Sequence, residues 1–476
     1  MSTQKISIVP RPLTFLFAVL LTTAIFPTLN TQAQELSADL KAKIDAIATK
    51  SLEESGVPSA SVAVVKNGQI VYLKAYGDAR LDPKTPAATS MRYSIGSISK
   101  QFTAAAILLL QEQKKLSLDD KVGKYLPDLT RANEVTIRQL LSHTSGYQDY
   151  WPQDYVMPGM LEPITAAKIM DGWARKPLDF DPGSKWQYSN TNYVIAGVII
   201  EKVSGKPMLQ FLTEKIFGPL GMKSVTNTDE KKLSDSDPTG YRRFALGPPR
   251  PAPKEGPGWL FAAGELAMTA EDLAKWNISM MDQKILRPAS YRELEKEVQL
   301  NTGLGTRYGL GVSLGMENGH LAVSHGGEVS GFTSESVIYP QDRVSVVALT
   351  NQDAASAADD IAHGILPLLF DTVADSTTAP KLEQAKKIFD GLQHGTIDRS
   401  LFTDNANFYF SEEALKDFAA GLGPLGAPKS FTQTRQGLRG GMTLRVYQIQ
   451  TATKALRAWT YEWPDGKLEQ YQIAVE

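Results

Sequence analysis

The sequence predicts an α/β (α+β) fold of two lobes. One antiparallel sheet is built from both ends of a large domain, a helical lobe is inserted between those ends, and a small α+β domain follows. Three observations predict this. A hairpin signal, Lys66-Asn67-Gly68-Gln69 between the β-branched runs Ala60–Val65 and Ile70–Leu73, places strands near the start. Helical periodicity and capping signals then dominate to about residue 281. From Leu321 to Thr350 the pattern returns to strands before a closing helix.

Taken in order, residues 37–55 read as a helix capped by Ser37 or Asp39. Its apolar face is Leu40, Ile44, Ile47 and Leu52, and Gly56-Val57-Pro58 ends it. Residues 77–92, with Pro83 and Pro86, read as a loop. Ala104–Leu110 is a run of strong helix formers without Gly or Pro, a buried helix whose mouth carries Ser97 and Lys100. Val135–Leu141 is a helical turn or two, and Asp181-Pro182-Gly183 a turn. Asn190 or Thr191 is expected to cap a helix from Tyr193 to Val203, and Gly205-Lys206-Pro207 to stop it. Helices over 208–217 and 270–281 flank a Pro- and Gly-rich excursion at 226–258, expected over the surface or the mouth of a site. Strands are expected at 321–323, 334–339 and 344–349, the last two joined by Pro340–Arg343, with a helix over 355–370.

The large domain is bounded at 34–370, a small polar linker at 371–380, and the accessory domain at 381–476. The accessory domain is expected to hold helices at 381–393 and 412–420 and strands at 428–436, 442–450, 455–463 and 468–475. Ahead of these, Lys5 and Arg11 precede an apolar stretch from Leu13 to Leu29, and Thr31-Gln32-Ala33 supplies small residues for a cut after Ala33. Residues 1–33 therefore read as a signal peptide, and the product as periplasmic or secreted, with no membrane span left after cleavage.

Composition narrows the chemistry. The chain of 476 residues carries a formal charge of −2, which leaves no electrostatic footprint for nucleic acid. It has no cysteine, which excludes disulfides, thiolate metal sites and a Cys nucleophile. Its five histidines are scattered without metal-ligand spacing, so neither a metal nor a cofactor is expected.

The Ser-x-x-Lys pair at the start of the buried helix points to a serine nucleophile, acting on a small molecule or short peptide. Ser97 and Lys100 are three apart, and residues so spaced share one helix face. A helix start also offers unpaired N–H groups and a positive dipole end. Lys100 is the nearest base, if burial lowers its pKa. Tyr188, at a loop-to-helix junction, is a second candidate base. His325-Gly326-Gly327-Glu328 is expected to follow a strand, with glycines that let a substrate approach the backbone. The pair alone is not specific, because Ser2-Thr3-Gln4-Lys5 matches the same pattern. A rival, Gly311-Val312-Ser313-Leu314-Gly315, matches the nucleophile elbow Gly-x-Ser-x-Gly. It lacks a preceding parallel strand and a following helix, so Ser313 is disfavoured.

Several motifs together resemble the β-lactamase-related serine hydrolases. These are Tyr93–Lys100, Leu140–Gly146, Tyr188-Ser189-Asn190, Ala262-Ala263-Gly264 with Ala270–Leu273, Tyr308–Gly311, and His325-Gly326-Gly327 with Gly331-Phe332. The family includes class C β-lactamases, penicillin-binding D-Ala-D-Ala carboxypeptidases, D-aminopeptidases and esterases. The resemblance spans about residues 40–370 and implies a β-lactamase/transpeptidase-like fold and an acyl-enzyme mechanism. It implies that Ser97 is the nucleophile, Lys100 its activating partner and Tyr188 the base and leaving-group acid. It also implies that Asn190 positions substrate and lysine, and that the N–H groups of Ser97 and Glu328 form an oxyanion hole. Where β-lactamases carry Lys-Thr-Gly, this chain has His325-Gly326-Gly327. That departure favours ester, amide or D-amino-acid peptide substrates over β-lactams or D-Ala-D-Ala. The accessory domain resembles cystatin-like or nuclear-transport-factor-like domains. A non-catalytic cell-wall or regulatory binding protein on the same fold is the reading of another class.

Overall fold

The computed structural model describes residues 36–153, 155–317, 320–370 and 378–475. The expected signal peptide at residues 1–33 and most of the expected linker lie outside them.

Helix α1 (Ala38–Ser55) starts where expected. The Ser37 side chain accepts from Leu40 N, and Gly56 closes the helix in the left-handed conformation at φ 72°. Strands β1 (Ser59–Lys66) and β2 (Gln69–Leu81) form the Asn-Gly hairpin. The expected loop at 77–92 is shorter than its prolines imply. β2 runs on to Leu81, and Lys84–Pro86 returns as the short edge strand β3, a place where proline costs no ladder bond.

Four more strands complete the sheet: β4 (Ser313–Glu317), β5 (His320–Val329), β6 (Phe332–Tyr339) and β7 (Val344–Thr350). The order is β3-β2-β1-β7-β6-β5-β4, antiparallel throughout. The first hairpin and the last strands meet at β1 and β7, where Val62 stands opposite Ala348, so the sheet is built from both ends of the domain. β1 is buried on both faces. Val62 and Val64 join a core with Ile44, Leu52, Ile361 and Ile365 from α1 and the closing helix Ala357–Ile365. Ala63 and Val65 join the larger core of the helical lobe. That two-sided burial explains the nearly continuous apolar run in β1.

β5 is much longer than the three residues expected. The ladder runs from Val323–Ile338 to Val329–Phe332, so His325, Gly326, Gly327 and Glu328 lie inside a strand rather than after one. The glycines weaken the strand signal, yet the packing demands one of them. A Cβ on Gly327 would stand 2.0 Å from the Ile95 carbonyl oxygen and 2.5 Å from Ser334 Oγ. Gly96 faces the same constraint from the other side, with φ +50° and Glu328 N 2.7 Å from its missing Cβ. Ser334 Oγ donates to the Ile95 carbonyl at 2.9 Å and ties the two segments. At Gly327 it is the chain's own turn before Ser97 that approaches the backbone.

The helical lobe includes α2 (Ser99–Glu112), α3 (Ile137–Leu141) with a capping box from Thr136 and Gln139, and α4 (Asn190–Ser204). The C-terminal unit has a core of its own, including Phe389, Phe410, Tyr447, Ile449 and Tyr471. Its helices are Thr378–Gln393, Asp404–Tyr409 and Glu412–Leu422, and its four strands form an antiparallel sheet in chain order. The first helix begins inside the expected linker, and the six-residue second helix is an addition to the expected set. Among the described residues no helix is long and apolar enough to cross a membrane.

Replacing Gly327 by Ala forces backbone apart at the turn that carries Ser97. The expected loss is about 1–3 kcal/mol of stability, read as a lowered denaturation midpoint. An unchanged midpoint refutes the close-approach argument.

Candidate active site

Ser97 sits in a single 3-10 turn, Gly96–Ile98, that runs directly into α2 at Ser99. Its hydroxyl is therefore presented just ahead of the α-helix, on a partly exposed residue, while Lys100 in the first turn is fully buried. Residues 262–268 run alongside this turn. Ile95 N donates to Leu266 O, Leu266 N to Ser99 Oγ, and Thr103 Oγ1 to Ala262 O.

Three acceptors surround Lys100 Nζ: Ser97 Oγ at 2.9 Å, Asn190 Oδ1 at 2.8 Å and the Ala263 carbonyl at 2.8 Å. An ammonium has three donors, and all three are placed. Burial pushes the Lys100 pKa down to about 7, partly opposed by the charge of Asp149. A neutral amine keeps two N–H groups on Asn190 and Ala263, and its lone pair then faces Ser97 Oγ.

Tyr188 shares a side-chain hydrogen bond with Ser97, and Nζ lies 5.0 Å from its ring centroid. Burial raises the phenol well above its ordinary value, against the smaller opposing effect of the Ser97 bond. Tyr188 is thus a phenol, able to pass a proton, while Lys100 is the group poised to take one at neutral pH. Asn190 begins α4 rather than capping it. The N-cap is Ser189, whose side chain makes no capping bond. The Asn190 amide is engaged by Lys100 on one side and by Asp149 on the other.

His325 is buried, 6% exposed, and held from both ring nitrogens. Nδ1 lies 2.5 Å from the Gly326 carbonyl, which can only accept, so Nδ1 carries the proton. Nε2 then accepts from the Tyr308 hydroxyl at 2.8 Å. Burial lowers His325 to about 4, with Lys100 reinforcing the effect, so the ring is neutral at pH 7. The Glu328 carboxylate turns away to accept from Ala354 N at 2.8 Å, leaving its backbone N beside the Ser97 turn.

Ser97, Tyr188, Asn190, His325, Gly327 and Glu328 line one cavity of about 880 Å³. Ser313 lines it too, but as the first residue of an edge strand with no helix after it. Tyr150, Trp151 and Tyr155 give the cavity an aromatic wall. No residue of the 226–258 excursion reaches the cavity, contrary to the expected site mouth. Its charged lining is Asp149, Glu328, Glu335, Asp353 and Asp359, and among the described residues no lysine or arginine lines it.

Sequence reasoning did not identify Asp149, or the parts played by His143 and Tyr308. His143 is fully buried at φ 60°, its ring 4.2 Å from that of Tyr188, and its Nδ1 accepts from Ser189 N at 3.2 Å. It braces the Tyr-Ser-Asn segment from below.

A sequence profile described as Beta-lactamase matches residues 44–367. Protein flp of Staphylococcus aureus (strain MW2) is 29% identical over 367 residues, covering 75% of this chain and 72% of its own. A D-aminopeptidase of Brucella anthropi is 30% identical over 304 residues, covering 63% and 57%. The crystal structure of a D-stereospecific amidohydrolase from Streptomyces sp. superposes with a TM-score of 0.60 at 27% identity, covering 70% of this chain and 99% of that one.

Tyr308→Phe strands the Nε2 lone pair of His325 in a buried place. The expected cost is roughly 1–3 kcal/mol in equilibrium unfolding, and no change in stability counts against the assigned tautomer.

Proposed function

This chain belongs to the Beta-lactamase family, and on that premise we propose that it is an exported serine hydrolase that cleaves amides, esters or D-amino-acid peptides through an acyl-enzyme. The observation that carries this reading is the placement of Lys100 Nζ 2.9 Å from Ser97 Oγ, with its other two hydrogen-bonding positions occupied by Asn190 and Ala263.

Neutral Lys100 takes the proton of Ser97 as Oγ attacks the substrate carbonyl carbon. The carbonyl oxygen becomes an oxyanion between the N–H groups of Ser97 and Glu328. The Tyr188 phenol then protonates the leaving nitrogen or oxygen and is reprotonated from the Lys100 ammonium. The ester on Ser97 is cleaved by water along the same proton path in reverse. Lys100 and Tyr188 work as a coupled pair, with the lysine as the resting base.

The neutral His325 and the acidic lining disfavour a substrate whose binding depends on a carboxylate. That supports an amidase or esterase over a penicillin-hydrolysing enzyme, and agrees with the names of the D-aminopeptidase and D-stereospecific amidohydrolase relatives. Export rests on the sequence of residues 1–33.

Intact mass after treatment with a fluorophosphonate is expected to show one phosphonyl adduct on the wild type and none on Ser97→Ala. An unlabelled, folded wild type favours the binding-protein reading instead. Benzylpenicillin is expected to acylate Ser97 far more slowly than the fluorophosphonate, and a rapid, stable penicilloyl adduct overturns the amidase preference.

The pH dependence follows from Lys100. The base is active when deprotonated, so kcat/KM is expected to fall about tenfold per pH unit below about 7. Because Tyr188 stays protonated well into the alkaline range, no falling limb from its ionisation is expected below about pH 10.

A further inference from the structure

The carboxylate of Asp149 stands in the cavity wall at the start of α4, and no proton-transfer or bond-making step of the proposed chemistry uses it. It comes from the loop after α3, 41 positions before Asn190 in the chain, and it grips the start of α4. Its Oδ1 accepts from Asn190 N at 2.9 Å and from Trp151 N at 3.2 Å, and its Oδ2 faces Asn190 Nδ2 at 3.4 Å. The neighbouring Gln148 carbonyl accepts from Thr191 Oγ1 at 2.6 Å. The helix start, left uncapped by Ser189, is thus held by this loop.

We infer that Asp149 is a positioning residue that sets both the polarity of the Asn190 amide and the charge facing Lys100, and so tunes Ser97 through these two groups rather than by contact with the reacting atoms; the inference rests on the serine-hydrolase reading above. A carboxylate can only accept, so the amide must turn Nδ2 toward Asp149 and Oδ1 toward Lys100 Nζ. The reverse orientation would set N–H groups against the ammonium and an oxygen against the carboxylate. The chain Asp149–Asn190–Lys100–Ser97 therefore has one consistent direction of donation, and it is this direction that aims the lone pair of neutral Lys100 at Ser97.

The same carboxylate acts through charge. The groups facing Lys100 are Asp149, the phenols of Tyr188 and Tyr193, and the imidazoles of His143 and His325. Burial keeps both phenols protonated and both imidazoles neutral at pH 7. Asp149 is then the charged group in this set that offsets the desolvation of the lysine. Facing Asp149 itself are Lys100, Asn190 and the phenols of Tyr150 and Tyr188.

Asp149→Asn removes the charge and adds an NH₂ group where only an acceptor stood, so the Asn190 amide can reverse. The test is the rate of fluorophosphonate labelling of Ser97 in the full chain as a function of pH, with thermal unfolding recorded in parallel. In Asp149→Asn the acidic limb is expected about one pH unit lower than in the wild type, with the plateau rate reduced about 10- to 100-fold. Asp149→Glu keeps the charge and disturbs the distance. It is expected to keep the wild-type limb with a reduced plateau, and it decides the matter if Asp149→Asn does not fold. A purely structural cap lowers the unfolding temperature and leaves the limb in place. Superimposable pH profiles for Asp149→Asn and wild type, or a wild-type plateau in Asp149→Glu, overturn the inference while Ser97 labelling keeps the hydrolase reading intact. A folded wild type that does not label at Ser97 overturns that reading, and the inference with it.

Discussion

For the role proposed for it, Lys100 must be buried deeply enough to surrender its proton near neutrality and still find three acceptors when it keeps it. Burial of an unpaired ammonium would be prohibitive, and full pairing with a carboxylate would hold the proton in place. The site meets both demands with neutral oxygens from three separate stretches of chain: Ser97, Asn190 and the Ala263 carbonyl. The formal charge of Asp149 stands one residue further back. Much of the surrounding structure follows from bringing those stretches together. The 262–268 segment is stitched to the Ser97 turn by backbone and hydroxyl bonds, and α4 starts where Asp149 and Gln148 hold it.

The sheet supplies the other wall. Its β5 strand comes so near the turn before Ser97 that Gly96 and Gly327 cannot carry a side chain there without displacing backbone. The approach puts the Glu328 N–H beside Ser97. It also buries His325 against Tyr308, and that burial, reinforced by Lys100, leaves a neutral imidazole where a cation would select carboxylates. A single packing constraint thus serves the proposed oxyanion site and the charge character of the cleft together.

Features that depend on neighbours along the chain are legible in the amino-acid sequence. The Asn67-Gly68 hairpin, the Ser37 cap and the Ser97–Lys100 spacing are local, and each stands as expected. Local preference loses where a distant contact outweighs it. Asn190 has the chemistry of a helix cap, but Lys100 and Asp149 claim its amide. The glycines of β5 suggest the end of a strand, but the ladder to β6 carries the strand through them. Asp149 leaves no trace in the sequence, because it sits in a loop, its partner starts a helix 41 positions later, and no local spacing joins them. The course of residues 226–258, which line none of the cavity although Glu255 accepts from Ser330 N at its edge, is equally invisible there, since composition marks a long polar segment but not its route.

The sequence by itself indicated the two-ended sheet and singled out Ser97 and Lys100 as the candidate pair, because periodicity and i,i+3 spacing are properties of adjacent residues, and its ordered motifs carried the resemblance to the family, while the strands at 84–86 and 313–317 left no such signal. Only the tertiary structure decided which side chain burial leaves able to take a proton near neutral pH, which way the Asn190 amide points and that His325 is neutral. Those are matters of desolvation and hydrogen-bond direction. Both are set by atoms that lie within a few ångströms in space and tens or hundreds of residues away along the chain.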